Sequence, residues 1–149
     1  MTLPRTPSQT VGPYFAIGLT QRAQNEVVRD GDVRLIGRVT DGNGEPVSDA
    51  MVEICQPEGW GRCGTDADGR YSFVTVRPAD GRPLDVLVFA RGLLRHLGTR
   101  IYFPDAGEDE VLRAVPPEAR ETLFALEEDG AYRFDIRLRG DGETVFFAV

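Results

Sequence analysis

From Val33 onward, apolar residues recur at every second position in short runs, and each run ends in glycine, proline, aspartate or asparagine. That period sends alternate side chains to opposite faces of a pleated strand, so the chain must fold from short strands joined by frequent turns. VRLIGRVT (33–40) sets Val33, Leu35 and Val39 on one face. DGNGEPVSDA (41–50) is a turn and loop, with glycines for left-handed backbone and Pro46 to fix φ. MVEI (51–54), RYSFVTV (70–76) and TRIYF (99–103) read as further strands, and RPADGR (77–82) as a turn. PLDVLVFARG (83–92) is nearly continuously apolar, the pattern of a strand covered on both faces. QPEGWGRCGTDADG (56–69) is polar and glycine-rich and is expected to be loop.

Helical signals are confined to one region. PPEARETLFALEED (116–129) has proline at a first-turn position, early acids, and Leu123 and Leu126 on one face; DEVLRAV before it adds a turn. In the tail, Tyr132, Phe134, Ile136 and Leu138 alternate with Arg133, Asp135, Arg137 and Arg139. GDGE then makes a tight turn, and TVFFAV is expected to return as the hairpin's second strand, its closing aromatics packed in the core or at an interface. The resulting expectation is an all-β chain: an antiparallel β-sandwich over 33–149, an N-terminal arm over 1–32, and one short helix.

A chain of 149 residues is enough for one domain with one core. Its net charge of −7 argues against a nucleic-acid partner, which calls for a basic stripe. No apolar run approaches the ~18 residues of a membrane span, and no signal-peptide core follows the start. A cytoplasmic protein without membrane or nucleic-acid partners is expected.

Few residues invite catalysis. His96 is the single histidine and has no serine or cysteine near it in sequence, so a nucleophile–base pair is not indicated. The acids, among them Asp66, Asp68, Glu108 and Asp109, fall in turns. DADG (66–69) lacks the spacing and the final acid of a calcium loop. Cys55 and Cys63 are expected to be free thiols. No catalytic residue and no metal-ligand set is legible.

The arm is the unusual element. TPSQTVGPYF (6–15) has two prolines, a glycine and hydroxylated residues, and ends in two aromatics. This stretch, continued as TPSQTVGPYFAIGL, resembles the N-terminal signature of the intradiol ring-cleavage dioxygenases, in particular the alpha subunits of protocatechuate 3,4-dioxygenase. The likeness continues in GRVTDGNGEPVSDAMVEI, GRYSFVTVRP, FARGLLRHLGTRIYF and AYRFDIRLRGDGETVFF.

The resemblance implies a hetero-oligomer of alpha and beta subunits that share one sandwich fold. It implies Fe(III) in the beta subunit, held by two tyrosinates and two histidines, and a small aromatic diol bound at the interface. It implies no cofactor in this chain, which has one histidine, and Pro83, Leu84 and Asp85 where a His-x-His would fall. No tyrosine follows the VRP turn, and the connections after Leu19 and after Gln56 are short. By the same resemblance, Thr10, Gly12, Pro13 and Tyr14 would line the partner's pocket. Glycine permits close backbone approach, proline rigidifies the turn, and tyrosine supplies a large ring to bury. Arg91 would meet a carboxylated catechol through its guanidinium. The competing readings are an arm clipped onto its own domain and an Arg91 engaged in an ordinary strand-end ion pair.

A second resemblance leads to a different class. The spacing of residues 37–52, followed by Thr-Asp-x-Asp-Gly-x-Tyr-x-Phe (65–73), is similar to the transthyretin-like and carboxypeptidase-regulatory-like β-sandwich modules, which bind without catalysis. It accounts for residues 37–78 alone.

Overall fold

The computed structural model describes residues 4–20 and 24–148. The ends of the expected arm and tail at 1–3 and 149, and the arm residues 21–23, lie outside the described residues. Among the described residues, nine strands form two facing sheets: β1 (Val33–Thr40), β2 (Met51–Gln56), β3 (Gly59–Gly64), β4 (Arg70–Thr75), β5 (Leu84–Phe89), β6 (Leu97–Ile101), β7 (Leu126–Glu128), β8 (Ala131–Arg133) and β9 (Ile136–Arg137). One sheet runs β4-β1-β8-β7, with β9 also on β1; the other runs β3-β2-β5-β6. Pairing is antiparallel except where β1 meets β8 and β9 in parallel. The expected sandwich is therefore present, with one mixed sheet.

The core lies between the sheets. Val33, Leu35, Val39, Tyr71 and Phe73 from one sheet meet Val52, Ile54, Leu84, Val86, Val88 and Ile101 from the other in a single apolar cluster. Each fully buried aliphatic or aromatic side chain contributes ~1.5–3 kcal/mol. A second cluster at one end joins Tyr102, Leu112, Val115 and Leu123, with Val145 and Phe147 of the tail against them.

Four local expectations are corrected. Gly59–Gly64, expected as loop, is the edge strand β3, paired with β2 from Met51↔Gly64 to Gln56↔Gly59. Its glycines make room for another backbone: a Cβ on Gly61 would stand 2.7 Å from the Gln24 carbonyl oxygen, and one on Gly59 2.5 Å from that of Val27. Glycine in a strand marks such close approaches. Strand β5 is not covered on both faces, since Asp85 is exposed and Leu87 and Phe89 are half-buried.

The helical region is also shorter than expected. Helix α1 (Glu110–Ala114) is followed by α2 (Pro117–Arg120) and one 3₁₀ turn (Glu121–Leu123). Phe124 is then extended, because the Tyr102 N–H donates to the Leu123 carbonyl at 2.8 Å and the Ala125 N–H to the Tyr102 carbonyl at 2.9 Å. Tertiary pairing thus overrides the local 3.6 period. Finally, GDGE turns as expected, with Gly140 and Gly142 at positive φ. Residues 144–147 nonetheless form no hairpin strand: the Phe147 N–H donates to Gly98 of β6 at 2.8 Å. The expectation that the apolar tail is packed holds, as Phe146 joins the main cluster and Phe147 the second.

The segment after residue 23 belongs to the sandwich edge. Gln24 bridges to Arg62 and Glu26 to Val74. Cys55 lies opposite Trp60 and Cys63 opposite Val52, and both thiols are free. Among the described residues no helix is long and apolar enough to cross a membrane.

Candidate functional site

One sequence-predicted residue, Thr10, is bonded to the neighbour of another, Arg91, far away in the chain. The Thr10 hydroxyl oxygen accepts a hydrogen bond from the Gly92 N–H at 2.7 Å. Arg91 is the residue before it. The arm is thereby seated on the turn that follows β5, where Gly92 adopts φ +86° and the Leu93 N–H closes back on Ala90.

Beyond Thr10 the arm winds through successive turns. The Phe15 N–H donates to the Gly12 carbonyl, that of Ile17 to Tyr14, and those of Leu19 and Thr20 to Ala16. Thr20 packs its methyl 3.2 Å from where a Cβ on Gly64 would be, which ties the arm's end to β3. Phe15 and Ala16 are half-buried, whereas Val11, Ile17 and Leu19 are exposed and Tyr14 is 78% exposed. Four of the seven large hydrophobic side chains that stand exposed among the described residues lie in this one turn region. Gly12 has no left-handed φ, and a Cβ there would meet nothing within 4 Å. Neither the glycine nor the exposed ring therefore serves the packing of the chain itself.

Arg91 is not solitary. Its Nε lies 2.9 Å from Asp49 Oδ2, with the arginine side chain 64% exposed and the aspartate 20%. Nothing in the sequence around Asp49 singled it out. The β2–β5 register does: Met51 pairs with Phe89, so two steps further out Asp49 faces Arg91.

The positions where the resemblance looks for iron ligands hold other chemistry. Leu84 is buried in the core, and Asp85 is 3.1 Å from Arg100. Arg100 also reaches Asp109 at 3.3 Å. Asp109 accepts from the Tyr102 hydroxyl at 3.0 Å and from the Leu112 N–H at 2.7 Å, capping α1. Burial pushes the Tyr102 phenol above its ordinary value, and pushes that of buried Tyr71 well above. His96 lies against Phe89, ring centroids 5.5 Å apart. With one histidine in the chain, this donor set does not fit a two-tyrosinate, two-histidine iron site.

An open groove of about 1010 Å³ lies elsewhere, on the outer face of the β4-β1-β8-β7 sheet, and none of the five predicted residues lines it. Its rim sets Arg34, Arg38, Arg70 and Arg133 against Asp66, Glu128, Asp129 and Asp135. The opposed charges offset one another and favour no one class of ligand.

No family model matches the chain. Curated relatives do: it is 40% identical to the protocatechuate 3,4-dioxygenase alpha chain of Burkholderia cepacia, over 99% of both chains. It is 38% identical to that of Pseudomonas putida, over 97% of this chain and 96% of the relative. It is 32% identical to the beta chain of Burkholderia cepacia, over 72% of this chain and 64% of the relative. The first alignment runs over 195 positions against 149 residues here, so that relative carries segments this chain lacks. Among solved structures, the dioxygenase domain of a carbohydrate-binding fusion protein from Streptomyces sp. SirexAA-E superposes with TM-score 0.63 at 20% identity, covering 92% of this chain and 99% of that one. Hydroxyquinol 1,2-dioxygenase from Pseudomonas putida DLL-E4 gives 0.58 at 20% identity, over 89% of this chain and 65% of that one. These superpositions establish the fold. On the near-full-length identity to two alpha chains, this chain belongs to the protocatechuate 3,4-dioxygenase alpha-chain family.

Proposed function

We propose that this chain is the non-catalytic alpha-type subunit of a cytoplasmic protocatechuate 3,4-dioxygenase. It supplies pocket walls to an iron-bearing beta subunit, which cleaves protocatechuate with O₂ to 3-carboxy-cis,cis-muconate. The observation that carries this reading is the 40% identity to an alpha chain over 99% of both chains. The match spans the arm and the tail, which the transthyretin-like reading leaves out.

The geometry supports the division of labour. Fe(III), if held in the partner, would supply the activation of diol and oxygen. This chain's residues bind and orient. The turn from Gly12 to Tyr14 presents a rigid backbone and an aromatic ring outward, and an apolar surface of that kind is what a partner covers. Arg91 offers a guanidinium to the carboxylate of the aromatic acid. Excluding water and fixing the ring are worth much here, because a 1 Å misplacement costs on the order of 10²-fold in rate.

Co-expression with a beta-type chain, followed by gel filtration and iron analysis, tests the reading. The two chains should co-elute with iron in the complex, and this chain alone should hold no stoichiometric iron and no tyrosinate-to-iron colour. Separate elution at micromolar concentration, or one iron per chain in the lone protein, would overturn it.

A further inference from the structure

We infer that Asp49 is the positioning residue for Arg91. Its carboxylate, 2.9 Å from Arg91 Nε, restrains the guanidinium so that it can take a ligand carboxylate. The inference rests on the reading of Arg91 given above and adds a residue to it.

Asp49 is well placed to hold something still. The Thr65 hydroxyl clamps its loop on both sides, donating to the Val47 carbonyl at 2.7 Å and accepting from the Ala50 N–H at 3.0 Å. Ala50 itself is buried. The carboxylate therefore stands on a fixed backbone rather than a free loop. Its partner is equally constrained at the main chain: Ala90 is buried, and the Gly92 N–H is bound to Thr10. What remains free is the long arginine side chain, and Asp49 Oδ2 restrains it 2.9 Å from Nε.

The point of attachment matters. A carboxylate across the Nη pair would occupy the edge that binds planar anions in two parallel hydrogen bonds. The closest approach of Asp49 is at Nε rather than at that pair. Among the described residues, no other partner is recorded for the Arg91 guanidinium. The arm's Thr10 is bonded one residue away, at the Gly92 N–H. The ion pair gives the arginine a direction.

The test uses the reconstituted complex with its beta-type partner. Asp49→Ala should raise KM for protocatechuate by roughly two- to fivefold, the scale of one partly exposed ion pair. It should leave kcat and the inhibition constant of unsubstituted catechol unchanged. Asp49→Asn keeps an acceptor oxygen and should recover most of the loss. In an Arg91→Ala background, Asp49→Ala should add nothing. A KM that is unchanged or lower in Asp49→Ala, or an equal change for catechol, would overturn the proposal, as would a full additional effect in the Arg91→Ala background. Arg91→Ala with unchanged KM would instead overturn the reading of Arg91, and the role of Asp49 with it.

Discussion

The Thr10 hydroxyl and the Gly92 N–H, separated by 82 positions of sequence, are joined by a 2.7 Å hydrogen bond. This contact fixes the arm beside Arg91 and makes one surface out of two distant segments. Thr10→Val keeps the shape and removes the acceptor. An exposed hydrogen bond is worth ~0.5–1.5 kcal/mol, so the sandwich should melt as before while the arm detaches more often. Chymotrypsin, offered Tyr14 and Phe15, should cut the variant roughly 2- to 10-fold faster. Equal cleavage rates would show that the arm is held by other contacts.

Tyr71 is buried, and its hydroxyl donates to the Phe134 carbonyl at 2.5 Å, where β8 gives way to β9. Tyr71→Phe should cost ~1–3 kcal/mol, because a buried carbonyl loses its partner. The effect should also depend on pH. Burial first, then the charge of Asp135 and the nearby Cys63, hold the phenol well above its ordinary 10.0. In the unfolded chain the same phenol ionises near pH ~10. The unfolded state therefore loses its proton first, and stability that is fully present below pH ~10 drains away as the pH rises toward the folded value. Urea melts between pH 8 and 11 should show a steeper alkaline loss in the parent than in Tyr71→Phe; parallel curves would refute this.

Gly61 and Gly12 should respond oppositely to a single added methyl group. A Cβ on Gly61 would stand 2.6 Å from Val27 Cγ2 and 2.7 Å from the Gln24 carbonyl oxygen. Gly61→Ala should push residues 24–27 off β3, at the ~1–3 kcal/mol typical of overpacking. Gly12→Ala meets open space in this chain and should leave its melting temperature unchanged. In the complex, the added methyl should raise KM or weaken assembly. A fully neutral Gly12→Ala in both assays would remove this turn from the pocket wall.

The sequence by itself determined the sandwich, because burial of one strand face is a local pattern. Val33, Leu35 and Val39 alternate in the chain and are buried in the core for the same reason. The arm and the resemblance it carries were likewise legible in a short run of residues. What the pattern could not show was anything set by segments crossing at a distance. Gly59 and Gly61 read as loop because the backbone that needs their missing side chains comes from residues 24–27. The helix expected to 129 ends early because Tyr102, some twenty positions before, takes the hydrogen bonds of Leu123 and Ala125. Asp49 lies in the stretch 41–50, which reads only as turn and loop. Only the antiparallel register of β2 and β5 sets it opposite Arg91, and only the fold brings Thr10 to the same turn. Periodicity records what a residue does with its neighbours in the chain; a site made of a loop, a strand end and an arm exists only once the sheets have formed.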